Sequence, residues 1–220
     1  MRARSLIQIA SGAECLALAG GAAVLLLQAA DAGAALEFRR SLAAAEPWRL
    51  LTGHLVHLNW RHALLNVIAW LAVARLFSAE LTARRQMVVI GASAAGISAL
   101  FLLLCPQLAW YRGLSGVLHA LFAAGAVDAL IASDRGAARR LPAALLAGVW
   151  LKVLAEQRFG SAIELTGWLG VTGAAAATVI TQAHLYGTVI GTLTALALRR
   201  PGAGAMQPSS RQPSRPASGC

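Results

Sequence analysis

Of 220 residues, 58% are hydrophobic and 13% are charged, about half the charged share of an ordinary soluble domain. The apolar residues fall into blocks of membrane-spanning length, which excludes a long soluble domain and predicts an all-α, polytopic membrane protein. The formal net charge of +10 comes from short basic clusters between those blocks, with no aromatic-interleaved basic groove, so the partner is the lipid bilayer and not nucleic acid.

In chain order, a short basic start (Arg2, Arg4) precedes a first span over 6–30, which holds Glu14 near its beginning. A carboxylate at the centre of a spanning helix costs about 3 kcal/mol, so Glu14 is expected to snorkel or to face the bundle. Residues 31–59 are polar enough to leave the bilayer and are predicted to form short interfacial helices. Trp48 and Arg49 suit the headgroup level there.

Further spans are predicted over 60–77, 87–104, 113–132, 141–154 and 174–198. The third is rich in Gly, Ala and Ser, which permits close helix packing in lipid. Lys152, Glu156 and Arg158 are read as the exit of the fifth span, and Trp168 as an interfacial anchor in a loop over 159–173. Residues 1–198 form one six-helix membrane domain on this reading. The Pro-, Ser-, Gly- and Arg-rich residues 199–220 are expected to be a disordered basic cytoplasmic tail.

Placing the N-terminus in the cytoplasm puts 12 basic residues inside and 7 outside. His62, Asn66, Ser115 and His184 then lie at one depth, toward the outer face, on the second, fourth and sixth spans. The loops over 31–59 and 159–173 are both candidate lateral gates. Cys15, Cys105 and Cys220 are odd in number and far apart, so neither a disulfide framework nor a CxxC metal pair is expected. His54, His57 and His62 have no carboxylate or thiolate nearby in sequence, so no metal or other cofactor is expected.

Ser115 sits between Gly113-Leu114 and Gly116 where a polar loop meets an apolar helix, either as a helix cap or as a reachable hydroxyl. A serine needs a base to become a nucleophile, and histidine is the usual one. His184 sits early in its span, and Gly187 and Gly191 share its face, so a neighbouring helix can come close enough for a hydrogen bond. No acidic residue is evidently placed to orient His184, so a Ser/His dyad is expected. Asn66, His62 and the Ser115 N–H are candidate oxyanion donors at the positive end of the fourth helix. His57 is expected to support the site structurally.

Taken together, Trp48-Arg49, His62-Ala-Leu-Leu-Asn66, Gly113-Leu-Ser115-Gly116 and Ala183-His184-Leu-Tyr-Gly187 with Gly191 resemble the rhomboid intramembrane serine proteases, in order and in placement on spans. The resemblance implies Ser115 as nucleophile, His184 as base, and His62 and Asn66 at the oxyanion. It further implies a membrane-anchored protein substrate cut near the outer face. The short chain and Gly-Leu-Ser-Gly-Val-Leu-His look most like the rhombosortase subgroup. That subgroup implies a bacterial inner-membrane enzyme, its active site toward the periplasm. It would process C-terminal Gly-Gly tails followed by a hydrophobic helix. One departure is His119, where many rhomboids carry a tyrosine that packs on the catalytic histidine; it either supports His184 or competes with it as base. The alternatives are an inactive relative that escorts membrane helices and a small transporter with a histidine proton relay, though the polar residues gather at one depth and not along a path.

Overall fold

The computed structural model describes residues 11–133, 136–159 and 180–199. In chain order these form α1 (Gly12–Ala29), α2 (Gly33–Leu36), β1 (Phe38–Arg39), α3 (Arg49–Thr52), α4 (Trp60–Leu76), α5 (Ala83–Leu104), β2 (Trp110–Tyr111), α6 (Ser115–Ala132), α7 (Arg140–Phe159) and α8 (Thr181–Ala197). The six long helices follow the six hydrophobic blocks. Three of them, α1, α5 and α6, are long and apolar enough to cross a membrane.

Helix α1 begins behind a capping box, in which Ser11 N–H donates to Glu14 Oε2 at 2.7 Å and Glu14 N–H to Ser11 Oγ at 3.2 Å. Glu14 is therefore a first-turn residue; it also pairs with Arg75 at the end of α4, at 3.4 Å. Helix α6 is apolar on every side and buries residues from Gly116 to Val127. Such a helix belongs in the centre of a bundle, and α6 packs against α4, α5, α7 and α8.

The tightest seam is between α6 and α8. A methyl group at Gly187 would stand 1.9 Å from Gly116 O, and one at Gly191 would stand 2.1 Å from Ala120 O. The backbones touch there, as the small residues on the sixth span predict.

The segment between α1 and α4 packs against α5 and the strand before α6. It contains α2, a 3-10 turn over Arg40–Leu42 and α3, as expected, and also β1, which was not expected. Strand β1 pairs antiparallel with β2, Phe38 opposite Tyr111 and Arg39 opposite Trp110. The Arg40 guanidinium donates to the carbonyls of Phe101, Leu102, Cys105 and Leu108, at 3.2 Å for Leu102, 2.7 Å for Cys105 and 3.0 Å for Leu108. It thereby ties this segment to the end of α5, where Phe101 O accepts the Cys105 N–H as well.

Two expectations change. Trp48 is about half exposed, as an interfacial anchor should be, but Arg49 is buried. Its guanidinium pairs with Glu46 and donates to the carbonyls of Ala34 and Glu37 at 3.0 and 3.2 Å, so it ties this segment together and does not sit in the headgroups. The fifth long helix does not end near Leu154. It runs to Phe159 and buries Val149, Val153 and Glu156 on one face. Its apolar run stops early because its inward stripe ends in a carboxylate, not because the helix ends. The first residues of the first span, the loop from residue 160 to 173 with Trp168, the beginning of the sixth span and the tail from residue 200 lie outside the described residues.

Candidate active site

Helix α6 opens at Ser115 because Gly113, at φ +143°, turns the chain in a conformation closed to side-chain-bearing residues. The turn is held from two sides. The Tyr111 hydroxyl donates to Gly113 O at 2.7 Å, and Leu114 N–H donates to His57 Nε2 at 3.4 Å. The His57 ring thus lies against the turn that leads into Ser115. Burial raises the Tyr111 pKa, which keeps the phenol protonated beside Ser115.

Residues Ser115, Gly116 and Val117 form the first turn of α6, where backbone N–H groups have no helical partner. Ser115 is a first-turn residue and not the cap; the cap position belongs to Leu114, which makes no side-chain cap bond.

Across the α6–α8 seam, His184 Nε2 lies 3.0 Å from Ser115 Oγ. Both side chains come from the same ends of their helices, and Gly116 and Gly187 bring the backbones close enough for that bond. Sequence reasoning paired these two residues but found no acid for His184. The structure corrects this: His184 Nδ1 lies 2.9 Å from Glu156 Oε2. Glu156 was missed because it was assigned to a span exit. The signal available was the spacing Val149, Val153, Glu156 on one helical stripe, with Lys152 one turn before the acid.

His119 stacks on His184, with ring centroids 4.2 Å apart and planes at 15°. Its Nδ1 lies 2.8 Å from Ser115 O, a carbonyl that only accepts, so Nδ1 carries the proton. Its Nε2 faces the Lys152 ammonium at 3.1 Å. Both ring nitrogens are engaged away from Ser115 Oγ.

Ser115 opens into a cavity of about 310 Å³ that is also lined by Leu58, His62, Gln107, Trp110 and Tyr111. The volume lies in the range of small ligand pockets. His62 therefore reaches the space in front of the serine, and its ring meets that of His57 edge-on at 4.9 Å. Asn66 is buried but is not among the cavity residues; its amide donates to His62 O at 2.8 Å. His54 is directed elsewhere, with Nε2 on Ala94 O and Ser98 Oγ, each at 3.1 Å, so His54, His57 and His62 do not converge as ligands.

The rim carries its own charge balance. Burial raises the Glu37 pKa, but the guanidinium groups of Arg39 and Arg112 outweigh it and hold the carboxyl below its usual range. Arg112 reaches Glu37 at 2.7 Å, tying the strand before α6 to β1's side of the fold.

Residues 44–201 match the family described as Rhomboid domain. No curated protein matches the chain.

Proposed function

Because the chain belongs to the rhomboid family, whose members are intramembrane serine proteases, we propose that it cleaves a membrane-anchored protein substrate with Ser115 as nucleophile and His184 as base. The observation that carries this reading is the 3.0 Å contact between Ser115 Oγ and His184 Nε2 beside an open cavity. The serine proton passes to His184 Nε2 as Oγ attacks the scissile carbonyl. Negative charge then grows on the carbonyl oxygen. The N–H groups of the first turn of α6, the positive end of its dipole and the His62 ring are the donors nearest to it. His184 returns its proton to the leaving amine. Water then attacks the acyl-enzyme, with the same histidine as base, and frees the serine.

For the substrate, the short core and the Gly-Leu-Ser-Gly-Val-Leu-His run favour a rhombosortase-like role. The enzyme would cut C-terminal tails in which a Gly-Gly motif precedes one hydrophobic helix and a basic end. Glycine makes local unwinding of such a helix cheap, which exposes a peptide bond to the nucleophile. Cleavage would occur at the outer face of the inner membrane, with both chain ends in the cytoplasm.

The test is labelling by a fluorophosphonate probe in membranes, together with cleavage of a Gly-Gly-tailed reporter. Ser115→Ala and His184→Ala are each expected to abolish both. A folded wild-type protein that takes no label and cuts no reporter would instead be an inactive relative that binds membrane helices.

A further inference from the structure

The side chains around His184 close into a ring that the serine–histidine chemistry alone leaves unexplained. The Glu156 side chain has no solvent exposure, and a buried carboxylate is costly unless it is paired. It is paired twice. One oxygen faces His184 Nδ1 at 2.9 Å, and the other forms an ion pair with Lys152. Lys152 reaches on to His119 Nε2 at 3.1 Å, and His119 Nδ1 returns to Ser115 O at 2.8 Å. One circuit of hydrogen bonds across α6, α7 and α8 therefore begins and ends on Ser115.

The circuit distributes protons. An ionised carboxylate only accepts, so His184 Nδ1 must donate to it, and the Nε2 lone pair is left facing the Ser115 hydroxyl. The opposite tautomer would set a lone pair against the carboxylate and leave no acceptor for the serine proton. We propose that Glu156 is the positioning residue for His184, holding it in the Nδ1–H form and stabilising the imidazolium, while Lys152 bridges Glu156 to His119 and holds it in place.

This inference rests on the protease reading above. Its proton balance closes within that reaction: the serine proton moves to Nε2 and from there to the leaving amine, Nδ1 keeps its own proton, and Glu156 never takes one.

His119, Glu156 and His184 also stand within 4.8 Å of one another, a spacing open to a metal ion. The Lys152 ammonium already fills the cation's role there, bonded to Glu156 and to His119. The two rings lie at 15° to each other, so their lone pairs run side by side and do not converge as metal coordination requires.

The test measures the rate of fluorophosphonate labelling against pH for the full chain in membranes, with thermal unfolding as the check on fold. The variants are Glu156→Gln, Glu156→Asp and the double Glu156→Gln/Lys152→Met. The groups facing His184 are Ser115 and His119 on α6, Glu156 and Lys152 on α7, and His62 on α4.

Removing the negative one is expected to slow labelling roughly 100-fold or more. It should also change the pH profile of the labelling rate, which a purely packing role would leave in place. Glu156→Asp should recover part of the rate. The double variant leaves no unpaired buried charge and should label as slowly as Glu156→Gln, which keeps the test decisive where the single variant fails to fold. Wild-type rates and an unshifted profile in Glu156→Gln or the double variant, with Ser115→Ala silent, would overturn the role of Glu156 and leave the protease standing. A folded wild type that takes no label would overturn both.

Discussion

The Asn66 amide donates to the carbonyl of His62 one turn earlier, so at least one of its N–H groups serves its own helix. His62 is the residue that reaches the cavity in front of Ser115. On this geometry His62→Ala is expected to lower kcat by roughly 100-fold, the cost of an oxyanion donor, and Asn66→Ala by about tenfold. The double variant should be little worse than His62→Ala alone, because Asn66 acts through its neighbour; reporter cleavage by the three variants measures this. At this scale the sequence exposes Ser115, His184 and His62 well, since each stands in a short motif on a helix with a recognisable partner. Glu156 is hidden because a buried acid near a helix end has the same local spelling as an exposed one. His119 is half-legible: its position four residues after the serine is plain, but its proton assignment depends on Ser115 O and Lys152, which lie on two different helices.

Among the helices, the α6–α8 seam carries the strongest constraint. A methyl at Gly187 or Gly191 meets a backbone oxygen at 1.9 or 2.1 Å, and backbone cannot step aside as a side chain can. Gly187→Ala and Gly191→Ala are each expected to cost about 3 kcal/mol or more, or to prevent folding, read as loss of thermal stability in detergent. Gly148 on α7 has nothing within 4 Å of an added methyl, so Gly148→Ala should be neutral or stabilising by about 0.5–1 kcal/mol in the same assay. The six long helices are legible because each carries its own apolar run. The β1–β2 pair is not, because two residues per strand are too few for any alternation to show. Helix α7 outlasts its apolar run because its last turns bury Glu156 between His184 and an exposed Lys152, a pattern that hydropathy counts as an exit.

Viewed whole, the molecule gathers its chemistry at one end. The starts of α4, α6 and α8 and the end of α7 meet under the segment that joins α1 to α4, while Arg85–Asp128 and Arg75–Glu14 tie the opposite ends of the helices. That common depth is legible from the order of spans and polar residues alone; the fold of the covering segment is not, because Arg40 and Arg49 look like surface cations until their carbonyl partners arrive from elsewhere in the chain. This cover also sets an acid limit. Burial lowers the pKa of His54 from the ordinary 6.5 to about 4, and burial together with the His62 ring lowers that of His57 to about 3. Both are neutral in the folded protein and take up protons more readily unfolded, so their contribution is complete above about pH 6.5 and is lost as the pH falls toward 4 for His54 and toward 3 for His57. Thermal unfolding followed from pH 7.5 to 4 should show stability falling through that window, and His54→Gln should flatten the fall.

The backbone contact between α6 and α8 has a kinetic meaning. Two helices that touch at the level of carbonyl oxygens slide or part only at the expense of the whole interface, so they move as one solid piece. Ser115 and His184, the proposed nucleophile and base, both ride on that piece, 3.0 Å apart. On the protease reading the pair is in place before anything is bound, and what such a protein must regulate is admission: which chain reaches the serine, and when, is decided by the parts of the wall that are free to swing.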